Sequence, residues 1–229
     1  MEGDTMNNMF IIHGYQANIN SHWFAWLAKE MAHYHYQVEI IYLPNTHHPK
    51  ASNWYTALDD RLKGKLNENT LIVAHSLGVI TTLNYLSHQQ FTPQIKGLFL
   101  ISGFNETLNN LPELDTYIKQ TNVQCDKVNS QHVVTIAASE DPIVDVEATK
   151  RLSNELGVST QIITHNGHFL DTEGYHTFEF LKDQIIDILN KTNTEIGYIP
   201  ISVFINNLHL IFVFCLYGAL ILPNNRMAH

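Results

Sequence analysis

Ser76 stands in Ala74-His75-Ser76-Leu77-Gly78, a serine with a small residue two before and two after it. That pattern suits a nucleophile. On a sharp strand-to-helix turn the small neighbours let strand and helix close together, and the hydroxyl is pushed out above the sheet. The turn also offers the backbone N–H of Leu77, and the helix N-terminus beneath it, to a developing oxyanion. Ala74 stands where the usual form has glycine, a change of one methyl group. A nucleophilic serine needs a base, and the base needs an acid to orient it. Asp141, held extended by Pro142, is the preferred acid, with Glu140 as its rival and Asp145 a weaker one. His168, which follows Gly167 on a turn, is the preferred base, and His165 is the alternative. A second oxyanion donor is expected from the backbone N–H of Tyr15, just after His13-Gly14. Hydroxyl, imidazole and carboxylate in these roles would form and hydrolyse an acyl-enzyme.

These residues need elements to bring them together. Short apolar runs predict strands over 8–13, 37–43, 71–74, 95–101, 132–137 and 159–164. Helical spacing predicts helices over 21–31 with Ser21 as N-cap, from Ser52 or Asn53 to Leu62, and over 77–86, 146–156 and 175–189. Trp23 and Trp26 fall on one face of the first helix and read as core. Residues 105–131 are polar and weakly patterned, and read as a loop with a short helix lying over the site as a small lid. Six strands alternating with helices imply an α/β fold: a mostly parallel six-stranded sheet, helices on both faces and no large cap domain. Ser76, Asp141 and His168 each fall just past a strand C-terminus, where open α/β sheets place their sites. Their chain order, Ser…Asp…His, is that of the α/β-hydrolases.

Composition agrees with a globular domain: 229 residues, 45% hydrophobic and 15% charged. A net charge of −9 without a basic cluster argues against nucleic acid. Cys125 and Cys215 are too far apart in an otherwise cysteine-free chain to suggest a disulfide framework or a zinc site. The pairs His33/His35 and His47/His48 lack a neighbouring carboxylate or cysteine at ligand spacing and read as exposed. No metal and no cofactor are expected. The start, Met1-Glu2-Gly3-Asp4, lacks the basic region and apolar core of a secretory signal, so a cytoplasmic location is expected.

The chain resembles the small serine-hydrolase family that includes retinoblastoma-binding protein nine and its bacterial relatives, a compact branch of the α/β-hydrolases. The resemblance runs over about residues 7–190. It is carried by His13-Gly14-Tyr15, His22-Trp23 with Trp26-Leu27, Leu43-Pro44-Asn45 with Pro49 and Trp54, His75-Ser76-Leu77-Gly78, Asp141-Pro142 and Gly167-His168-Phe169. It implies Ser76 as nucleophile, Asp141 as acid and His168 as base, but no particular substrate. The expected function is hydrolysis of small carboxylic esters. The alternatives are acyl transfer to an acceptor other than water, which would use the same residues, and a non-catalytic binding module on a hydrolase scaffold.

The domain is expected to end near Lys191, leaving an apolar tail over 192–229. Residues 208–222 are nearly all apolar but fall short of the roughly 20 residues of a bilayer span, and Pro200, Asn206, Asn207 and His209 interrupt a longer one. The tail admits three readings: membrane contact through 196–222, a segment folded against the domain or a partner, or a non-native extension. The oligomeric state is not legible in the sequence.

Overall fold

The computed structural model describes residues 6–90 and 93–197, with side chains as far as residue 191. The chain divides after Ile185 into two units, and the first holds the sheet. In chain order its elements are β1 (Asn8–Ile12), α1 (Phe24–Ala32), β2 (Gln37–Ile41), α2 (Ala51–Leu62), β3 (Leu71–His75), α3 (Leu77–Ser87), β4 (Ile95–Ile101), α4 (Asp115–Lys119), β5 (Ser130–Ala138), α5 (Val146–Glu155), β6 (Thr160–Ile163) and α6 (Glu179–Gly197), whose last part lies in the second unit. Short 3₁₀ turns at Pro112–Leu114, Cys125–Lys127 and Asp171–Glu173 fill three of the connections.

The six strands form one sheet in the order β2-β1-β3-β4-β5-β6, every pair parallel. Central strands buried on both faces need continuous apolar runs, and Leu71 to Ala74 of β3 and Leu98 to Ile101 of β4 are fully buried. Side chains alternate between the faces. Phe10, Ile12, Ile72, Leu98 and Leu100 share one buried cluster with Trp54 and Leu58 of α2, Val79 and Leu83 of α3, and Leu152 of α5. The alternate residues Met9, Ile11, Val73 and Phe99 face the other way and are equally buried. Phe24, Leu27 and Met31 of α1 are buried with them, as are Phe178 and Leu181 at the start of the last helix. After β1 the chain moves outward to β2, and after β3 it moves the opposite way to β4. The crevice between the ends of β1 and β3 is therefore the topological switch point, the place where such sheets bind ligands.

Four local expectations shift. Helix α1 starts at Phe24 rather than Ser21, because the Ser21 hydroxyl accepts the Asn18 N–H in a preceding turn. Trp23 is buried ahead of the helix, while Trp26 is half-buried with the Lys182 ammonium 5.5 Å from its ring centre. Helix α2 starts at Ala51, ahead of both expected caps, Ser52 and Asn53. The last helix starts at Glu179, since the 3₁₀ turn and left-handed Gly174 (φ 92°) occupy the residues before it.

The 105–131 segment is only in part a cover. Asn110 and Leu111 line the cavity at the site, but α4 is packed inward. Tyr117 and Ile118 are buried, and the Tyr117 hydroxyl lies 2.6 Å from the Thr81 hydroxyl. Leu108, Leu114, Tyr117 and Ile118 all join the buried apolar cluster, which explains why the helix sinks into the core. The tail beyond residue 197 lies outside the described residues. Among the described residues no helix is long and apolar enough to cross a membrane.

Candidate active site

Ser76 separates β3 from α3 with φ 55° and ψ −126°, a strained conformation for a residue with a side chain. Its neighbours explain why the turn is fixed. A Cβ on Gly78 would lie 2.5 Å from the His13 carbonyl oxygen and 2.7 Å from that of Ile12, so only glycine lets α3 start against the end of β1. A Cβ on Gly14 would lie 2.8 Å from the Ser76 Cβ and 3.3 Å from the Leu77 nitrogen. The loop after β1 thus runs directly against the serine.

His13 sets the orientation of that loop. Its Nδ1 lies 3.1 Å from the Gly14 carbonyl, and its Nε2 accepts the Leu43 N–H at 3.3 Å. The two partners define a neutral ring with its proton on Nδ1. Burial likewise pushes the His13 pKa down. In a planar trans peptide the carbonyl and the next N–H point opposite ways, so drawing the Gly14 carbonyl to His13 turns the Tyr15 N–H away from it. Among the described residues neither the Tyr15 nor the Leu77 N–H is taken up by a backbone carbonyl. Leu77 is the first residue of α3, where an N–H has no partner within the helix.

His168 is held on three sides. Its backbone N–H donates to Glu173 Oε2 at 2.7 Å, and its carbonyl accepts from His75 Nε2 at 2.9 Å. Its Nδ1 donates to Asp141 Oδ2 at 2.7 Å, with the His168 and Asp141 side chains only 4% and 1% exposed. With Nδ1 protonated toward a carboxylate, Nε2 carries the lone pair that a base needs. His75 must be a neutral donor to make its own bond. Burial first, then the neighbouring His168 and His22, push its pKa well down.

Asp141 also accepts the Ser102 hydroxyl at 2.9 Å, and the Ile143 and Val144 N–H groups at 2.8 and 3.0 Å. The rivals do not join it: Glu140 is exposed, and Asp145 caps α5 by accepting the Glu147 N–H at 2.8 Å. His165 is engaged elsewhere, 3.4 Å from Glu173 Oε2 and stacked on Phe169.

Ser76, His168 and Tyr15 all line one cavity of about 440 Å³. A larger cleft of about 730 Å³ lies beside β2 and α2, where Arg61 pairs with Glu39, but no serine or cysteine lines it. Sequence reasoning missed Ser102, Glu173 and the pair His22–Asp171. Ser102 carried a signal, because it follows β4 immediately, next to the strand that delivers Asp141. Glu173 lies five residues past His168 in an acidic turn, and nothing local marks its role.

Residues 9–186 match the serine hydrolase family. The chain belongs to that family. A relative of this serine hydrolase is YdeN of Bacillus subtilis (strain 168), 34% identical over 185 residues, 80% of this chain and 96% of its own. The crystal structure of that gene product matches with a TM-score of 0.76 at 32% identity, covering 80% of this chain and 99% of the other. The serine hydrolase RBBP9 of Rattus norvegicus is 22% identical over 170 residues, 73% of this chain and 88% of its own. Alpha/beta hydrolase domain-containing protein 10 from mouse shares the fold, with a TM-score of 0.59 at 13% identity over 81% of this chain and 90% of the other. This serine hydrolase therefore has the compact α/β-hydrolase fold, and it is a hydrolase.

Proposed function

We propose that this serine hydrolase cleaves small carboxylic esters through an acyl-enzyme on Ser76. The observation that carries the reading is the buried 2.7 Å bond from His168 Nδ1 to Asp141, beside the cavity that holds the strained Ser76. His168 Nε2 takes the Ser76 proton as the hydroxyl attacks the acyl carbonyl. Asp141 keeps the ring in the required tautomer and stabilises the imidazolium. The N–H groups of Tyr15 and Leu77 bind the oxyanion, a contribution whose loss typically costs roughly 10²–10³-fold in rate. The tetrahedral adduct collapses, His168 hands its proton to the leaving alcohol, and water then releases the acid by the same steps. A cavity of about 440 Å³ walled by Leu111, Ile143 and Leu170, with no large cap above it among the described residues, suits short acyl groups.

Labelling with a fluorophosphonate probe tests this reading. Wild type is expected to label, and Ser76→Ala and His168→Ala are not. In the same preparation p-nitrophenyl butyrate should turn over faster than the palmitate ester. A folded wild-type protein that does not label would favour the non-catalytic binding module, and a preference for palmitate would remove the small-ester assignment.

A further inference from the structure

Three imidazoles line the cavity around Ser76, and the mechanism uses only His168 directly. His75 supports the His168 backbone. His22 has no part in that machinery, yet its placement is expensive. Its backbone is in the left-handed region at φ 55°, one of seven such non-glycine residues among those described. Five of the seven (Gln16, His22, Ser76, Ser102 and Phe169) line the cavity or adjoin Asp141 and His168, and strain of this kind collects at functional positions.

Asp171 clamps His22 through several contacts. Asp171 Oδ2 accepts the His22 backbone N–H at 3.3 Å. The His22 Nδ1 lies 3.3 Å from Asp171 Oδ1 and 3.2 Å from the Asp171 backbone N–H. The ring packs edge-on against Phe24 at 5.4 Å and against His75 at 5.6 Å. The buried side-chain polar atoms without a partner, among the described residues, are Trp23 Nε1 and His75 Nδ1. His22 Nε2 is not one of them and has no hydrogen-bond partner among the described residues, and the His22 side chain lines the cavity.

Burial lowers the His22 pKa more than Asp171 raises it, so the ring is neutral near pH 7. Nδ1 faces both a donor and an acceptor on the same residue, so either neutral tautomer is satisfied. Nε2 can therefore present a proton or a lone pair, and a hydroxyl group complements both. An anion there would meet the Asp171 carboxylate behind the ring. The position also has a side. The base must deliver its proton to the leaving oxygen, so the leaving alcohol lies toward His168. Asp171 follows His168 by three residues, and the His75 ring that touches His22 is 4.7 Å from the His168 ring.

We propose that the His22–Asp171 pair binds the leaving alcohol of the ester and selects alcohols that carry a further hydroxyl group close to the ester oxygen. This rests on the ester-hydrolysis reading above.

The test compares 2-hydroxyethyl acetate with n-propyl acetate, which differ by a hydroxyl in place of a methyl, following acetate release. The readout is the ratio of the two kcat/KM values. One hydrogen bond between uncharged groups corresponds to roughly fivefold to tenfold, and wild type is expected to favour the hydroxyethyl ester by that factor. In His22→Phe, which keeps the ring packing, and in His22→Gly, which relieves the backbone, the ratio should fall to about one. A merely structural role for His22 would depress both esters together and leave the ratio at its wild-type value, which would overturn the proposal while wild-type turnover upheld ester hydrolysis. A wild type with no hydrolysis of either ester and no labelling of Ser76 would overturn both readings at once.

Discussion

Asp141 keeps its charge inside the protein because four donors reach it: His168 Nδ1, the Ser102 hydroxyl and two backbone N–H groups. Burial alone would push its pKa up. The bond to His168, the charge that ring carries once protonated and the Val144 and Ile143 N–H groups together bring it below the ordinary carboxylate value. Ser102 bonds Asp141 and does not line the cavity, so it is a positioning residue. Ser102→Ala should lower kcat about tenfold with KM little changed, because a donor to a charged group is lost while the pocket walls stay in place. Steady-state kinetics on p-nitrophenyl butyrate would show this, and a wild-type kcat would refute it. Of these side chains the sequence exposes Asp141 and His168, the first beside Pro142, which restricts its backbone, and the second after Gly167 (φ 157°), which admits a turn that other residues avoid. Ser102 and Glu173 act through contacts made across the sheet or around a turn, and neither carries a distinctive neighbour.

At the scale of elements, the site depends on how closely α3 approaches the end of β1. Both carbonyls that a Gly78 Cβ would strike, those of Ile12 and His13, belong to backbone that cannot rotate away as a side chain can. Gly78→Ala should cost about 2–3 kcal/mol of stability, the scale of overpacking in a rigid core. It should also weaken fluorophosphonate labelling, since the displaced backbone is the one that carries Gly14 and Tyr15. Urea unfolding and a labelling time course check the two effects, and a variant within about 0.5 kcal/mol of wild type would show that the junction has room. Strands β1 to β6 were legible because buried parallel strands are short apolar runs. The ends of α1 and α6 were not, because turn contacts such as Asn18 with Ser21 decided them. The 105–131 segment looked like a cover by polarity, yet four apolar side chains drew α4 into the core.

Across the whole molecule, buried histidines tie stability to pH. His13, His22 and His75 are all held below the ordinary imidazole value of 6.5, in each case chiefly by burial. The unfolded chain then binds protons that the folded chain refuses. The stability these groups support is complete above about pH 6.5 and is lost as pH falls toward their folded values. Asp141 adds its own loss only below the ordinary carboxylate range, near pH 4. Each histidine can steepen the decline by at most about 1.4 kcal/mol per pH unit. Urea midpoints should therefore fall between pH 7 and pH 5.5, before the carboxylates titrate, and a flat midpoint over that window would contradict it. The sequence by itself determined the α/β class, the strand succession and the chain order Ser76, Asp141, His168, because periodicity, strand-end turns and small residues are local properties of the chain. Only the tertiary structure decided which acid and which histidine meet, what steadies them and that His22 shares their cavity. Those outcomes depend on sheet order, which sets β1 beside β3 and β5 beside β6, and on contacts such as His22 with Asp171, 149 residues apart.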